Sequence, residues 1–256
     1  MEFEGVLLLI GLAAFVAGFV DAVVGGGGLV QIPALFTAFP TSSPAVLFGT
    51  NKIASIVGTS SAAIQYARRV AIPWRLATPG ALCALVGAWF GARAVVWMPT
   101  EFMRPLVLLL LILVAIYTFA RKDFGTGVSS TRQSGRDIAV TCAIAATIGF
   151  YDGFFGPGTG SFFIFLLVRF VALDFLHASA TAKVLNVATN FAALAFFVGS
   201  VELLWQAGLL MAVCNLAGAL IGSRMALKRG AAFVRKLFLL IVMTLIARMA
   251  YDWMRA

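Results

Sequence analysis

Apolar runs of 18 or more residues follow one another from end to end of this chain. In hydrocarbon every backbone N–H and C=O has to be satisfied within the structure, which leaves only helices and closed barrels. Runs of this length are the helical signature. Hydrophobic residues make up 62% of the chain and charged residues 11%. Soluble domains are closer to a half and a quarter. The expected fold class is therefore all-α, a polytopic membrane protein without a separate soluble domain. Lys and Arg outnumber Asp and Glu by 19 to 10, which in a soluble chain would point to nucleic acid. Here most of the excess sits in a few loops, as in the positive-inside pattern, so no nucleic-acid partner is expected. The start, MEFEGVLLLI, has no basic region and reads as a retained first helix rather than a signal peptide.

Two stretches break the apolar pattern in the same way. Residues 18–35 read GFVDAVVGGGGLVQIPAL and residues 149–166 read GFYDGFFGPGTGSFFIFL. Asp152 follows Asp21 by 131 residues, and Gly156 and Gly158 follow Gly25 and Gly27 by the same interval. The offset also relates Lys52 to Lys183, Trp74 to Trp205, Cys83 to Cys214, Gly87 and Gly91 to Gly218 and Gly222, and Arg93 and Arg104 to Arg224 and Arg235. Shared packing preferences could align glycines and tryptophans. Charged residues in register at one offset point to duplication.

Each copy is expected to hold about four long transmembrane helices and one short or broken one. In the first copy the segments are 5–24, the short 29–39, 45–66, 76–98 and 103–120. A polar, Gly- and Ser-rich linker at 121–137 separates the first repeat, 1–120, from the second, 138–256. At about 1.5 Å per residue the piece 29–39 is too short to cross about 30 Å of hydrocarbon. Basic residues cluster near Arg68, Arg69 and Arg75, in the linker, and at 228–236, whereas the loops near Thr41, Glu101, Asp152 and Glu202 are poor in them. Placing the basic loops in the cytoplasm requires an odd number of crossings per repeat. The repeats are then inverted, with both termini outside. Parallel repeats remain the alternative if the short pieces do not cross.

Broken backbone survives in lipid only where protein or a water-filled cavity surrounds it. The glycines at 25–28 and 156–160 should line the interior, and the helices after them open with free N–H groups, an anion site made from backbone. Lys52, Ser55 and Thr59 share one helical face, and Lys183, Asn186 and Asn190 repeat it. A lysine at a helix centre costs about 2.5–3.5 kcal/mol on insertion scales. Two readings account for the lysines: ion pairs of Lys52 with Asp21 and Lys183 with Asp152 that fix the bundle, or attraction of an anionic substrate. His177 beside Asp174 is expected to have an interfacial structural role rather than a proton relay. Arg93 and Arg224 are expected to snorkel, and Trp74 and Trp205 to anchor at the interface. Phe154 and Phe155 are expected in core or lipid contacts. The cysteines Cys83, Cys142 and Cys214 read as small core residues. No Walker loop, metal-ligand cluster, haem motif or nucleophile elbow is present in the sequence, so no enzyme activity and no cofactor is expected.

The segment GFVDAVVGGGGLVQIPAL followed by GTNKIASIVGTSSAAIQY resembles the TauE/SafE family of sulfite-exporter-like permeases. The resemblance covers nearly the whole chain, and the second half departs from the pattern at Pro157, Thr159 and Ala182. It implies a secondary transporter of the bacterial inner membrane for small anions, often sulfur-containing ones such as sulfite, thiosulfate or sulfonates, working by alternating access. The candidate substrate-binding residues are Gly25, Gly26, Gly27, Gly28, Gln31, Thr50, Asn51, Lys52, Ser55 and Thr59 in the first half. In the second they are Gly156, Gly158, Thr159, Ser161, Thr181, Lys183, Asn186 and Asn190. Asp21 and Asp152 are the proton-coupling or structural acids. The expected partners are the small anion, the lipid bilayer and protons as coupling ion. An anion channel or a carrier of non-sulfur organic acids would use the same site. A membrane enzyme or scaffold subunit would need a nucleophile–base pair or cofactor ligands.

Overall fold

The structure, a computed structural model, describes residues 3–99, 101–102, 109 and 134–229. The expected segment 103–120 and most of the linker lie outside the described residues. The helices are α1 (Phe3–Val24), α2 (Gly28–Ala38), α3 (Pro44–Ala67), α4 (Trp74–Trp97), α5 (Gly135–Phe154), α6 (Thr159–Val171), α7 (Phe175–Val198) and α8 (Trp205–Arg229). The 131-residue offset carries over to the elements: α2 and α6, α3 and α7, and α4 and α8 begin 131 residues apart. Five of them, α1, α4, α5, α7 and α8, are long and apolar enough to cross a membrane by length and composition. α3 matches α4 and α7 in length, but its polar face lowers its hydropathy.

Local chemistry sets the helix starts. Ser43 caps α3, accepting from the Val46 N–H, and Pro44 follows at the first helical position. Ser134 and Asp137 form a capping box that starts α5 at Gly135. The linker therefore ends at Ser134 and not at 137: the Ser-x-x-Asp signal satisfies two backbone donors and nucleates a turn inside a stretch that reads as flexible. Asp174 caps α7 through the N–H groups of Leu176 and His177. Its carboxylate also meets His177 Nδ1, so His177 is tied to a helix start.

Packing crosses the two halves. α8 lies along α1, with Gly218 against Phe15 and Gly222 against Phe19, so the two run parallel. α4 lies along α5 in the same way, with Gly87 against Ala146 and Gly91 against Phe150. Small residues here let backbones approach to where a side chain would collide. The equivalent helices α3 and α7 run antiparallel. Gly49 meets Phe197, Thr59 meets its own counterpart Asn190, and Tyr66 shares a core cluster with Ala180. Two units result. One is α1, α2 and α3 completed by α8, and the other is α5, α6 and α7 completed by α4.

The short helices turn back instead of continuing. Gly27 packs against Ala17 and Asp21 of α1, and Leu35 joins the cluster of Ile10, Ala14 and Leu47, so α2 retraces α1. α6 retraces α5 through Ile164 and Leu167, which cluster with Ile144 and Ala145. Asp152 is correspondingly a buried residue of α5 and not part of a loop, contrary to the expectation from the apolar pattern. Large apolar side chains such as Leu8, Trp89, Phe90 and Leu209 face outward, while Gln31, Asn51, Lys52, Lys183 and Asn190 are buried. Trp74 and Trp205 stand exposed at the starts of α4 and α8, and Arg93 stacks over Trp97.

Candidate substrate site

The two helical hairpins enter from opposite ends and meet tip to tip. Gly25 has φ +80° and Gly156 φ +96°, a region that glycine enters without Cβ strain. Gly160 donates its N–H to Gly25 O at 3.1 Å, and Ser161 donates its hydroxyl to Val24 O at 2.6 Å. A Cβ on Gly25 would overlap the Gly160 backbone.

Part of the tip backbone is committed to the turns themselves. Gly25 N–H is held by Asp21 O, Gly156 N–H by Tyr151 O, and Thr159 N–H by Gly156 O. Their amides close the tips, since a sharp reversal at depth has to satisfy its own polar groups. Gly27 is right-handed helical and sits tightly on Ala17.

Beneath the tips lies a small polar cavity of about 20 Å³, lined by Asp21, Gly25, Gly28, Asn51, Lys52, Ser55, Thr59, Asp152, Gly156, Asn186 and Asn190. That volume is about what one water needs. Of the other candidates, Thr50 accepts from Leu204 N–H at the start of α8, and Thr181 donates to His177 O. Thr159, not itself a lining residue, donates to Asp152 Oδ1 at 2.8 Å. Gln31 accepts from Asn215 at 3.1 Å. Gly26, Gly158 and Lys183 are not among the lining residues.

The ion pairs are crossed. Lys52 Nζ lies 2.8 Å from Asp152 Oδ2, and Lys183 Nζ lies 3.4 Å from Asp21 Oδ2. The pairings of Lys52 with Asp21 and Lys183 with Asp152 are thus corrected: each lysine pairs with the aspartate of the other repeat. The reason is the running direction of the helices. α1 carries Asp21 past the centre of α3, level with Thr59, while Lys52 lies two turns earlier. α5 descends from the opposite end and brings Asp152 to the level of Lys52.

One buried network joins the pairs. Lys52 also donates to Asn190 Oδ1 at 3.1 Å, Asn190 Nδ2 to Thr59 Oγ1 at 3.4 Å, and Thr59 to Asp21 Oδ2 at 3.0 Å. Lys183 donates in addition to the main-chain oxygen of Asp21. Asn51 lines the cavity, and its buried Oδ1 has no hydrogen-bond partner among the described residues. Asn215 of α8 was not singled out from the sequence. A lone amide in an apolar helix is the available signal, and here it fills the space opposite Gly58 and Gly18.

Comparisons with known proteins place the chain in a family. The family described as "Sulfite exporter TauE/SafE" matches residues 10–249. A "Probable membrane transporter protein ORF9" from Sinorhizobium sp is 36% identical over 241 residues, covering 94% of this chain and 91% of that protein. The "Probable membrane transporter protein YfcA" of Escherichia coli K12 is 33% identical, covering 96% of this chain and 91% of that protein. A "Probable membrane transporter protein" of Haemophilus influenzae is 30% identical, covering 96% and 95%. No solved structure matches. With its membrane-spanning helices and a match running from residue 10 to 249, the chain is a multi-pass inner-membrane protein that belongs to the sulfite exporter TauE/SafE family of membrane transporters.

Proposed function

We propose that this protein is a secondary transporter that moves small anions, sulfur oxyanions and sulfonates foremost, by alternating access between two inverted repeats. The observation that carries the reading is the polar cavity at the hairpin tips, lined by Lys52, Asn51, Ser55, Thr59, Asn186 and Asn190. It lies between the two units, and both ion pairs bridge them. The cavity is small, about 20 Å³, and binding of an anion widens it by parting the units. The anion then takes the place of a carboxylate on a lysine. The displaced carboxylate takes up a proton, since an unpaired charge at this depth is costly. The antiparallel course of α3 and α7 supports inversion. The turn at 68–73 and the end of α8 share one face of the bundle, through Tyr66, Val70, Ile72, Ala226 and Leu227. The basic turn after α3 thus lies at the same end as Lys228, which supports cytoplasmic placement of the basic loops.

The test is uptake and counterflow in liposomes containing the purified protein. The panel is sulfite, thiosulfate, short sulfonates and carboxylic acids of similar size. Accelerated exchange of a sulfur anion on loading the opposite side supports the carrier. Flux without counterflow marks a channel, and transport of carboxylic acids alone overturns the sulfur assignment.

A further inference from the structure

The two halves of the cavity are not chemically equivalent. Lys52 lines it and is held by two side-chain oxygens, of Asp152 and Asn190, that can rotate away. Its counterpart Lys183 is not a lining residue and bonds to the main-chain oxygen of Asp21. That carbonyl is fixed by the helix, so Lys183 clasps the end of α1. When Lys52 turns to a ligand, Asp152 keeps the Thr159 hydroxyl at 2.8 Å.

Beside Lys52 stands Asn51, 4% exposed, lining the cavity with its Oδ1 unpartnered. The equivalent position in the second repeat is Ala182. An unpaired buried acceptor costs about 1–3 kcal/mol. A ligand that donates to it recovers that cost, and one that cannot leaves it in place.

Resting on the anion reading above, we propose that the Asn51–Lys52 half of the cavity selects singly charged oxyanions that also carry a hydrogen-bond donor, an O–H or N–H beside the anionic oxygens. Lys52 takes the negative oxygen and Asn51 Oδ1 accepts from the donor. The carboxylates of Asp21 and Asp152 among the lining residues disfavour a fully deprotonated dianion. The specificity is one-sided, because Ala182 offers no acceptor. Asn51 is a specificity-determining residue, and Lys183 is a positioning residue.

Sulfamate and methanesulfonate test this directly. Both are monoanions of similar size at neutral pH, and only sulfamate has N–H donors. Their affinities are measured on the purified protein in detergent by calorimetry. The wild-type protein is expected to bind sulfamate about tenfold or more tightly than methanesulfonate. Asn51→Ala should bring that ratio to about one, and Lys52→Gln should weaken both anions. Lys183→Gln should preserve the ratio while lowering thermal stability and maximal transport rate. Equal wild-type affinities overturn the proposal, as does a ratio that survives Asn51→Ala in protein that remains folded by circular dichroism. Failure of the wild type to bind sulfamate, methanesulfonate or sulfite overturns the anion reading itself, a result distinct from binding without discrimination.

Discussion

Removal of Lys52 tests the crossed pairing most directly. Its ammonium lies 2.8 Å from Asp152 Oδ2, with both side chains nearly inaccessible. At an effective dielectric of 20 the gross attraction is about 6 kcal/mol, much of it offset by desolvation of both charges. Lys52→Met leaves Asp152 buried with one hydroxyl partner, Thr159. Breaking a buried pair in this way costs about 3–5 kcal/mol. Adding Asp152→Asn removes the stranded charge, and the double variant should recover at least about 2 kcal/mol, the size of coupling expected for contacting residues. Adding Asp21→Asn instead should recover nothing, because that aspartate serves Lys183, and should bring a second loss of its own. The assay is denaturant unfolding of the purified protein in mixed micelles, with the wild type, Lys52→Met and the two double variants compared. Rescue of Lys52→Met by Asp21→Asn as good as that by Asp152→Asn would refute the inter-repeat arrangement.

Gly25→Ala combines a left-handed backbone with a collision at Gly160 and should cost about 3 kcal/mol in the same assay. Gly5→Ala, where nothing lies within 4 Å, should be neutral or slightly stabilising. At the start of α7, Asp174→Ala should cost about 1 kcal/mol through the lost cap. Burial works to raise the Asp174 carboxyl, but hydrogen bonds and charge from His177 and the Leu176 N–H outweigh it and hold the group below its usual value. The contribution of this group is therefore complete above the unfolded carboxyl range, near about pH 4, and is lost as pH falls through the lower folded value. A melting profile of Asp174→Asn should accordingly converge with wild type in acid and diverge toward neutrality. Single cysteines at Ser43 and Ser200 should react with an impermeant thiol reagent from outside the cell, and those at Arg69 and Ser134 only from inside. Labelling of Ser43 and Ser134 from the same side would overturn the proposed topology.

The helices, the duplication and the polar face were legible because each depends on neighbours in sequence. Hydropathy marks which segments can lie in lipid, Ser43 and Pro44 mark a start, and the spacing of Lys52, Ser55 and Thr59 puts them on one face whatever they meet. The cavity lining follows in large part from that face and from the glycine tips. What those residues meet was decided only by the tertiary structure. A constant offset of 131 residues is the same for parallel and antiparallel repeats, so it holds no information on whether Lys52 faces Asp21 or Asp152. The choice came from α5 descending against α1, which puts each aspartate past the centre on the other lysine's side. In the same way the glycine pattern announced a broken backbone, but only the meeting of Gly25 with Gly160 shows that the two tips bond to each other. Asn215 had no repeat partner to draw attention to it. Its place between Gly18, Gly58 and Gln31 exists only because α8 packs on the first repeat, a contact between residues nearly 160 or more positions apart that no local pattern encodes.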